Sequence, residues 1–250
     1  MAITAREIDH LSITLPTPDD LAGKLQQLGF TLTPEGVEPR CVCFQPAEED
    51  IPNYIELIEG EARMALALNV AELDGEERTH VWESEDGYEV DAAVIVGAGE
   101  AGPLPWFPVR QEIPDAFMEP EWVVHPNGAL GLVAIHAVAD DPKATADALA
   151  KAWSGLMEEI FDGCAMVKVG LMELLVWSPG AWQSEYKAVE AMAPNQRPAI
   201  VGLAVAVERP RPLQALLRAN NVPFAVAEGD RVVVPAEYAG GLAIEFMPQT

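Results

Sequence analysis

One local pattern recurs along this chain and restricts its fold more than any single motif does. A β-branched strand stops at an acidic or proline turn, a helix follows, and further strands close the unit. The pattern is clearest at the start. Ile8-Asp9-His10-Leu11-Ser12-Ile13-Thr14-Leu15 alternates, Pro18-Asp19-Asp20 supplies a helix start, and Leu21, Leu25 and Leu28 recur at helical spacing. Strand parity sets His10, Ser12 and Thr14 on one face and Leu11, Ile13 and Leu15 on the other. Residues 30–33, 41–44 and 54–58 then read as three more strands, which gives β-α-β-β-β. A unit this small cannot hide both faces of its sheet, so it needs a partner of similar shape.

The same grammar returns, so the chain reads as four units at 6–60, 62–112, 130–177 and 199–248. The second has strands at 64–70, 89–96 and 104–109, with its helix reduced to a short piece around 72–77. The third runs from a strand at 131–138 through a helix at 143–153 to strands at 164–169 and 171–176. The fourth runs from 200–207 through a helix at 212–219 to strands at 224–226, 231–234 and 242–246. A Pro- and acid-rich segment, 112–127, and a helical insert, 181–193, stand outside the repeat. The first of these breaks periodicity, so the expected domains are 1–128 and 129–250. The expected class is α+β, with two domains that each pair two units into a curved mixed sheet with helices outside.

Fifteen basic against forty acidic residues give a formal charge of −25, which repels phosphate backbones and anionic membranes. Nucleic-acid and membrane partners are therefore not expected. No window approaches the roughly 20 apolar residues of a membrane span. The N-terminus lacks a basic segment followed by an apolar core, so a cytoplasmic location is expected. Cys41, Cys43 and Cys164 are odd in number and follow no zinc spacing, which predicts reduced, partly buried thiols.

Gly97-Ala98-Gly99-Glu100-Ala101-Gly102 fits a dinucleotide fingerprint directly after a strand. That motif needs a helix to receive the pyrophosphate, and Pro105 and Pro108 would not allow one. A hairpin connection is expected, with no nucleotide. His125-Pro126-Asn127-Gly128 reads as a turn launching the second half, or else as a pocket rim. His80 has no carboxylate partner that the sequence can place. No GxSxG or comparable nucleophile motif is present.

Several features together resemble the glyoxalase-like-domain family of the vicinal oxygen chelate superfamily. They are the paired units, an opening Asp9-His10-Leu11, a first unit ending Tyr54-Ile55-Glu56-Leu57, the central His125-Pro126-Asn127-Gly128, and a final loop and strand from Pro235 to Phe246. The resemblance implies half-open barrels with metal ligands on the first and last strands of the units, facing inward. His10 and Glu56 match those positions in the first unit. In the second, the positions fall near Ala65 and within Trp106-Phe107-Pro108-Val109-Arg110, so neither ligand is matched. In the second domain, Glu173 and Glu245 match last-strand positions. Setting Pro142 against Pro18 puts Ala134 at the His10 position and His136 at the Ser12 position, while Gly202 opens the fourth unit.

The function that this resemblance implies is divalent-metal-dependent, lyase- or isomerase-like chemistry on a small oxygenated metabolite. The metal (Zn, Ni, Mn or Fe) would be held by His10 and Glu56, or by His136, Glu173 and Glu245, with Glu56 or Glu245 moving a proton. The alternative is a metal-free protein that binds or sequesters a small molecule in the same cavity. From the residues themselves, Phe44, Tyr54, Trp106 and Phe107 are candidate pocket walls or core, and Arg40 and Arg110 could hold an anionic substrate or pair on the surface. A homodimer is possible if one domain has lost its site.

Overall fold

The computed structural model describes residues 2–37, 39–48, 51–83, 89–99, 102–112 and 119–249. The first sheet is built from β1 (Ala5–Leu15), β2 (Arg40–Glu48), β3 (Ile51–Glu59), β4 (Arg63–Val70), β5 (Glu76–Glu83), β6 (Glu89–Val96) and β7 (Trp106–Gln111), with helix α1 (Pro18–Gln27) after β1. Its strand order is β2-β3-β1-β4-β7-β6-β5. The second sheet contains β8 (Ala129–Val138), β9 (Leu156–Phe161), β10 (Cys164–Val169), β11 (Met172–Trp177), β12 (Ala199–Val207), β13 (Ala225–Val226), β14 (Val232–Val234) and β15 (Ala243–Pro248). Helices α2 (Pro142–Trp153), α3 (Pro179–Glu185) and α4 (Pro210–Ala219) interrupt it, and its order is β13-β14-β15-β12-β8-β11-β10-β9.

The fourfold repeat is visible in the pairing. In each unit the first strand lies parallel to the last: β1 with β3, β4 with β7, β8 with β11, and β12 with β15. Two units join through their first strands, which run antiparallel, β1 with β4 and β8 with β12. Parallel neighbours need a crossover, and a helix supplies part of it in three units. In the second unit there is no helix at 72–77: β5 begins at Glu76, and the β5–β6 hairpin itself makes the crossover. The strand expected at 30–33 is also absent. Its Thr31 N–H and hydroxyl are committed to His125 Nδ1 and Val124 O, and among its four residues Thr33 N–H reaches the strand residue Cys41. Conversely, β9 was not anticipated as a strand, and residues 78–82, which read from sequence as a short strand or loop, belong to β5.

Local chemistry explains the helices. Pro18, Pro142 and Pro210 each open one, where a missing N–H costs nothing. Asp141 caps α2 by accepting from Ala144 N at 2.9 Å, and Ser154 ends it in the left-handed conformation. Leu21 and Leu25 of α1, Leu149 of α2, and Leu213 and Leu217 of α4 join Leu11, Ile13, Leu174 and Ile244 in one continuous core that spans the outer faces of both sheets. Helix α3 lies on the opposite, inner face of the second sheet, with Trp182 packed beside Trp177 and Val201.

Polar contacts fix the two sheets together. Buried Asn53 donates to Leu132 O at 2.9 Å and accepts from Leu132 N at 3.1 Å, a side-chain mimic of strand pairing. Buried Glu7 accepts from Leu171 N and from Met172 N at the turn between β10 and β11. The connecting segment is tied to the first half by His125, which accepts from Thr31 N (3.0 Å) through Nδ1 and donates to Cys43 O (2.9 Å) through Nε2. Asn127 donates to Leu28 O. Residues 113–118 of that segment lie outside the described residues, as do Glu100 and Ala101 of the glycine run. No helix of the described residues is long and apolar enough to cross a membrane.

Candidate functional site

The first sheet curls around a cavity of about 1080 Å³. His10, Ser12 and Thr14 of β1 face into it, as strand parity predicts, while Leu11 and Ile13 point into the core. Ser12 pairs in register with Glu56 of β3, which brings that carboxylate onto the same face. His10 Nε2 and Glu56 Oε2 stand 3.6 Å apart, and both residues are buried. Tyr54 stacks on the His10 ring at 4.2 Å between centroids, and Phe107 meets it edge-on at 5.9 Å.

A third participant was not legible from strand alternation. The ladder between β1 and β4 shifts register between Ile8 and His10, so Asp9 also reaches the inner side. Fully buried Asp9 lies with Oδ1 2.7 Å from His10 Nδ1, accepts from Asn69 Nδ2 at 3.0 Å, and accepts from Gln111 Nε2 at 3.0 Å. Gln111 Nε2 also donates to Tyr54 OH at 3.2 Å. Burial by itself would lower the His10 pKa, but the hydrogen bonds and charges of Asp9 and Glu56 together raise it to about 9. His10 is thus an imidazolium near neutral pH, with Nδ1–H committed to Asp9 and Nε2–H directed toward Glu56 and the cavity. The Tyr54 hydroxyl is pushed well above its ordinary value by burial and by the carboxylates of Asp9 and Glu56.

The donor set does not suit a metal held by three protein side chains. On β4 the residues opposite Ser12 and His10 are Ala65 and Ala67, and Phe107 occupies the neighbouring position on β7. Among the described residues, no group of three or more His, Cys, Asp or Glu side chains is placed to hold a metal ion. His10 and Glu56 alone converge, one short of the roughly three protein ligands that an exchangeable site ordinarily uses.

Several sequence expectations for the walls change. Arg40 lies on the outer face, in line with Val42 and Phe44 of the core, and faces Asp19 at 3.6 Å. Arg110 pairs with Glu112. Phe44 is core, packed edge-on against Phe30 and His125. Trp106 borders the cavity, but its ring packs against Trp153. Two other arginines, Arg63 of β4 and Arg78 of β5, line the cavity instead. Arg63 shares parity with Ala65 and Ala67, a signal that was available. The side chain of His80 lies outside the described residues. Gly97, Gly99 and Gly102 line the cavity on a connection that reaches β7 with no helix among its described residues.

The second sheet's inner face is filled by the chain itself. Trp177 Nε1–H donates to His136 Nδ1 at 3.2 Å, which leaves the proton of the neutral ring on Nε2. His136 Nε2 lies 3.4 Å from Tyr186 OH, which donates to Glu245 Oε2 at 2.8 Å. Arg231 Nη1 binds Glu245 Oε1 at 2.5 Å and its Nη2 binds Glu185 at 2.8 Å. Burial would raise the Glu245 carboxyl, yet His136, Arg231 and Tyr186 hold it below its usual range. Trp182 and Tyr186, on and just after α3, cover this cluster. Glu173 pairs with Ala134 and Leu175 with His136, so Glu173 shares the face of His136 but stands one pair further along the ladder. Among the described residues, His136, Glu173 and Glu245 do not come together as a group placed to hold a metal ion.

By sequence, the chain matches no protein-family model and no curated protein. By structure it is similar to a hypothetical protein from Staphylococcus aureus, at a TM-score of 0.58 and 10% identity over 97% of this chain and 99% of that one. It is also similar to homoprotocatechuate 2,3-dioxygenase from Brevibacterium fuscum (TM-score 0.58, 14% identity, 99% of this chain and 72% of that one). A Mn(II)-bound glyoxalase from Novosphingobium aromaticivorans gives a TM-score of 0.56 at 8% identity, over 98% of this chain and 82% of that one. The chain shares its fold with these proteins, in keeping with the architecture that the sequence resemblance implies. Within that shared fold, this chain keeps an open inner cavity in its first sheet and packs the second with α3 and the residues after it.

Proposed function

We propose that this chain binds a small oxygen-bearing organic molecule in the first-sheet cavity, and that His10 grips it directly. The observation that carries the reading is the Asp9–His10–Glu56 cluster at a cavity of about 1080 Å³, which is large enough for a metabolite. Asp9 fixes the ring and keeps it charged, so a ligand oxygen that displaces Glu56 from Nε2 receives a charge-assisted hydrogen bond. His10 is then placed to give a proton to that oxygen, and Glu56 to accept one from an adjacent carbon or hydroxyl. Tyr54 and Phe107 offer faces and edges for the body of the molecule.

A second reading, metal-dependent chemistry, is favoured by one observation: His10 Nε2 and Glu56 Oε2 are close enough to share an ion. It requires the ligand or water to complete the coordination shell. One experiment separates the two. Protein purified without chelator or His-tag is assayed for bound metal and for its melting temperature with Zn, Ni, Mn or Fe. The binding reading expects far less than one equivalent of metal and no metal-dependent shift. Stoichiometric metal that is lost in both His10→Ala and Glu56→Ala would replace it with the metal-dependent reading.

A further inference from the structure

We infer that the cavity's ligand is an organic anion, with an apolar or aromatic body and a carboxylate or phosphonate end received by Arg63 and Arg78. This rests on the reading that the cavity is the ligand site, and it adds the ligand's chemical class.

The chain carries 15 Lys and Arg against 40 Asp and Glu, so a cation on its surface has carboxylates to choose from. The arginines elsewhere mostly take one: Arg40 meets Asp19, Arg197 meets Asp140, and Arg231 meets both Glu185 and Glu245. Arg63 and Arg78 form no ion pair among the described residues, and both line the same cavity. They come from separate strands. Arg63 stands opposite Thr14 of β1, and Arg78 opposite Val94 of β6, so it is the curl of the sheet that brings them to one space.

Their surroundings suit an amphiphilic guest. Thr14 and Thr79 add hydroxyls to the cavity lining, and Val94, Val96, Val109, Tyr54 and Phe107 add apolar surface. Among the described residues, two carboxylates also face the cavity, Glu56 against His10 and Glu59, and neither forms an ion pair with these arginines. A guanidinium left without a carboxylate is a ready bidentate site for one that arrives with a ligand. The net charge of −25 repels polyanions, and the cavity volume limits the guest to a small one.

The test uses the full chain and ω-phenylalkanoates of increasing length, each beside its neutral primary amide, with affinity read by protein-observed NMR at Tyr54 and Phe107. The acids are expected to bind about tenfold more tightly than the amides. In Arg63→Gln/Arg78→Gln the acids should lose that advantage and bind no more tightly than the amides, and Arg63→Lys/Arg78→Lys should restore part of the preference. Both arginines are exposed, so the variants should keep the wild-type melting temperature. Acids and amides that bind equally well to the wild type, and are both weakened by His10→Gln, would overturn the anion inference and leave the cavity reading standing. Failure of every probe at tens of millimolar would overturn both.

Discussion

His10 Nδ1 lies 2.7 Å from Oδ1 of Asp9, the residue that immediately precedes it in β1. Consecutive strand residues ordinarily face opposite sides of a sheet. The register shift between Ile8 and His10 cancels that alternation at this one step, so a carboxylate is buried beneath the cavity histidine. The histidine then holds its proton in a site whose burial alone would remove it.

A stability-against-pH experiment follows from that pairing. The folded-state pKa of His10 is about 9 against 6.5 for the free side chain. The pair's stabilisation is therefore fully present below pH 6.5 and is lost as pH rises through about 9, on the order of 3 kcal/mol in all. Urea unfolding of the wild type should weaken between pH 7 and pH 10 more than that of His10→Gln. The difference between the two curves isolates this group from lysines and tyrosines that titrate nearby. Identical slopes would show that His10 is neutral in the folded protein.

His125 should behave with the opposite sign. Burial lowers its pKa to about 4, only partly opposed by its bond to Cys43 O. Its neutral ring bridges Thr31 and Cys43, so this contribution is present above pH 6.5 and lost as pH falls toward 4. His125→Ala should cost about 2–4 kcal/mol at pH 7, by removing its bonds to the half-buried Thr31 N–H and the buried Cys43 O and opening a gap beside Phe30 and Phe44. The variant should also lose the acid-side slope between pH 6 and pH 4. Retention of that slope in the variant would assign it to the carboxylates instead.

The fold was legible because each unit had to hide one face. Alternation in β1 and the spacing of Leu21 and Leu25 correctly separated core from cavity. What failed to show was whatever depends on a break in periodicity or on contacts distant in sequence. Asp9 has no partner visible in the sequence, because alternation places it away from His10. Arg40 and Arg110 stand out in the sequence as strand ends, whereas it is parity with Ala65 and Ala67 that turns Arg63 to the cavity. Strand β9 was missed because Glu158 and Glu159 sit in an exposed edge strand, where pairing with β10 and not burial makes the strand. Nor does anything local in residues 179–191 announce that Trp182 and Tyr186 fill the second sheet's inner face.

Gly170 gives a sharp test of how the two sheets dock. Its φ is +64°, and a Cβ there would lie 2.3 Å from Glu7 Oε2 and 2.5 Å from Arg6 O. Gly170→Ala must therefore strain the turn and also push away the carboxylate that accepts from Leu171 and Met172. A loss of about 2–4 kcal/mol in chemical denaturation is expected, with ligand affinity in the first cavity nearly unchanged. Glu7→Gln removes the charge but keeps the shape, so it should cost about half as much. A Gly170→Ala variant as stable as wild type would mean that the sheets are not held through this turn.

Tyr186 decides whether the second cluster is structural or active. Its hydroxyl donates to Glu245 and lies 3.4 Å from His136, while Arg231 holds the other Glu245 oxygen. Tyr186→Phe removes one oxygen and leaves the packing against Trp182 in place, so it should cost about 1–3 kcal/mol through the unpaired His136 N–H and Glu245 oxygen. Affinity for a ligand of the first cavity should not change, because the cluster belongs to the inner face of the other sheet. Gly202 provides an independent check on the same packing. A Cβ there would come within 2.7 Å of Ala243 O and 3.1 Å of Trp182 Cη2, so Gly202→Ala should force α3 outward and raise amide exchange across residues 179–191. If Gly202→Ala instead created a second set of ligand-responsive NMR signals around His136, α3 would be a lid over a working site, and the division of labour between the sheets would fall.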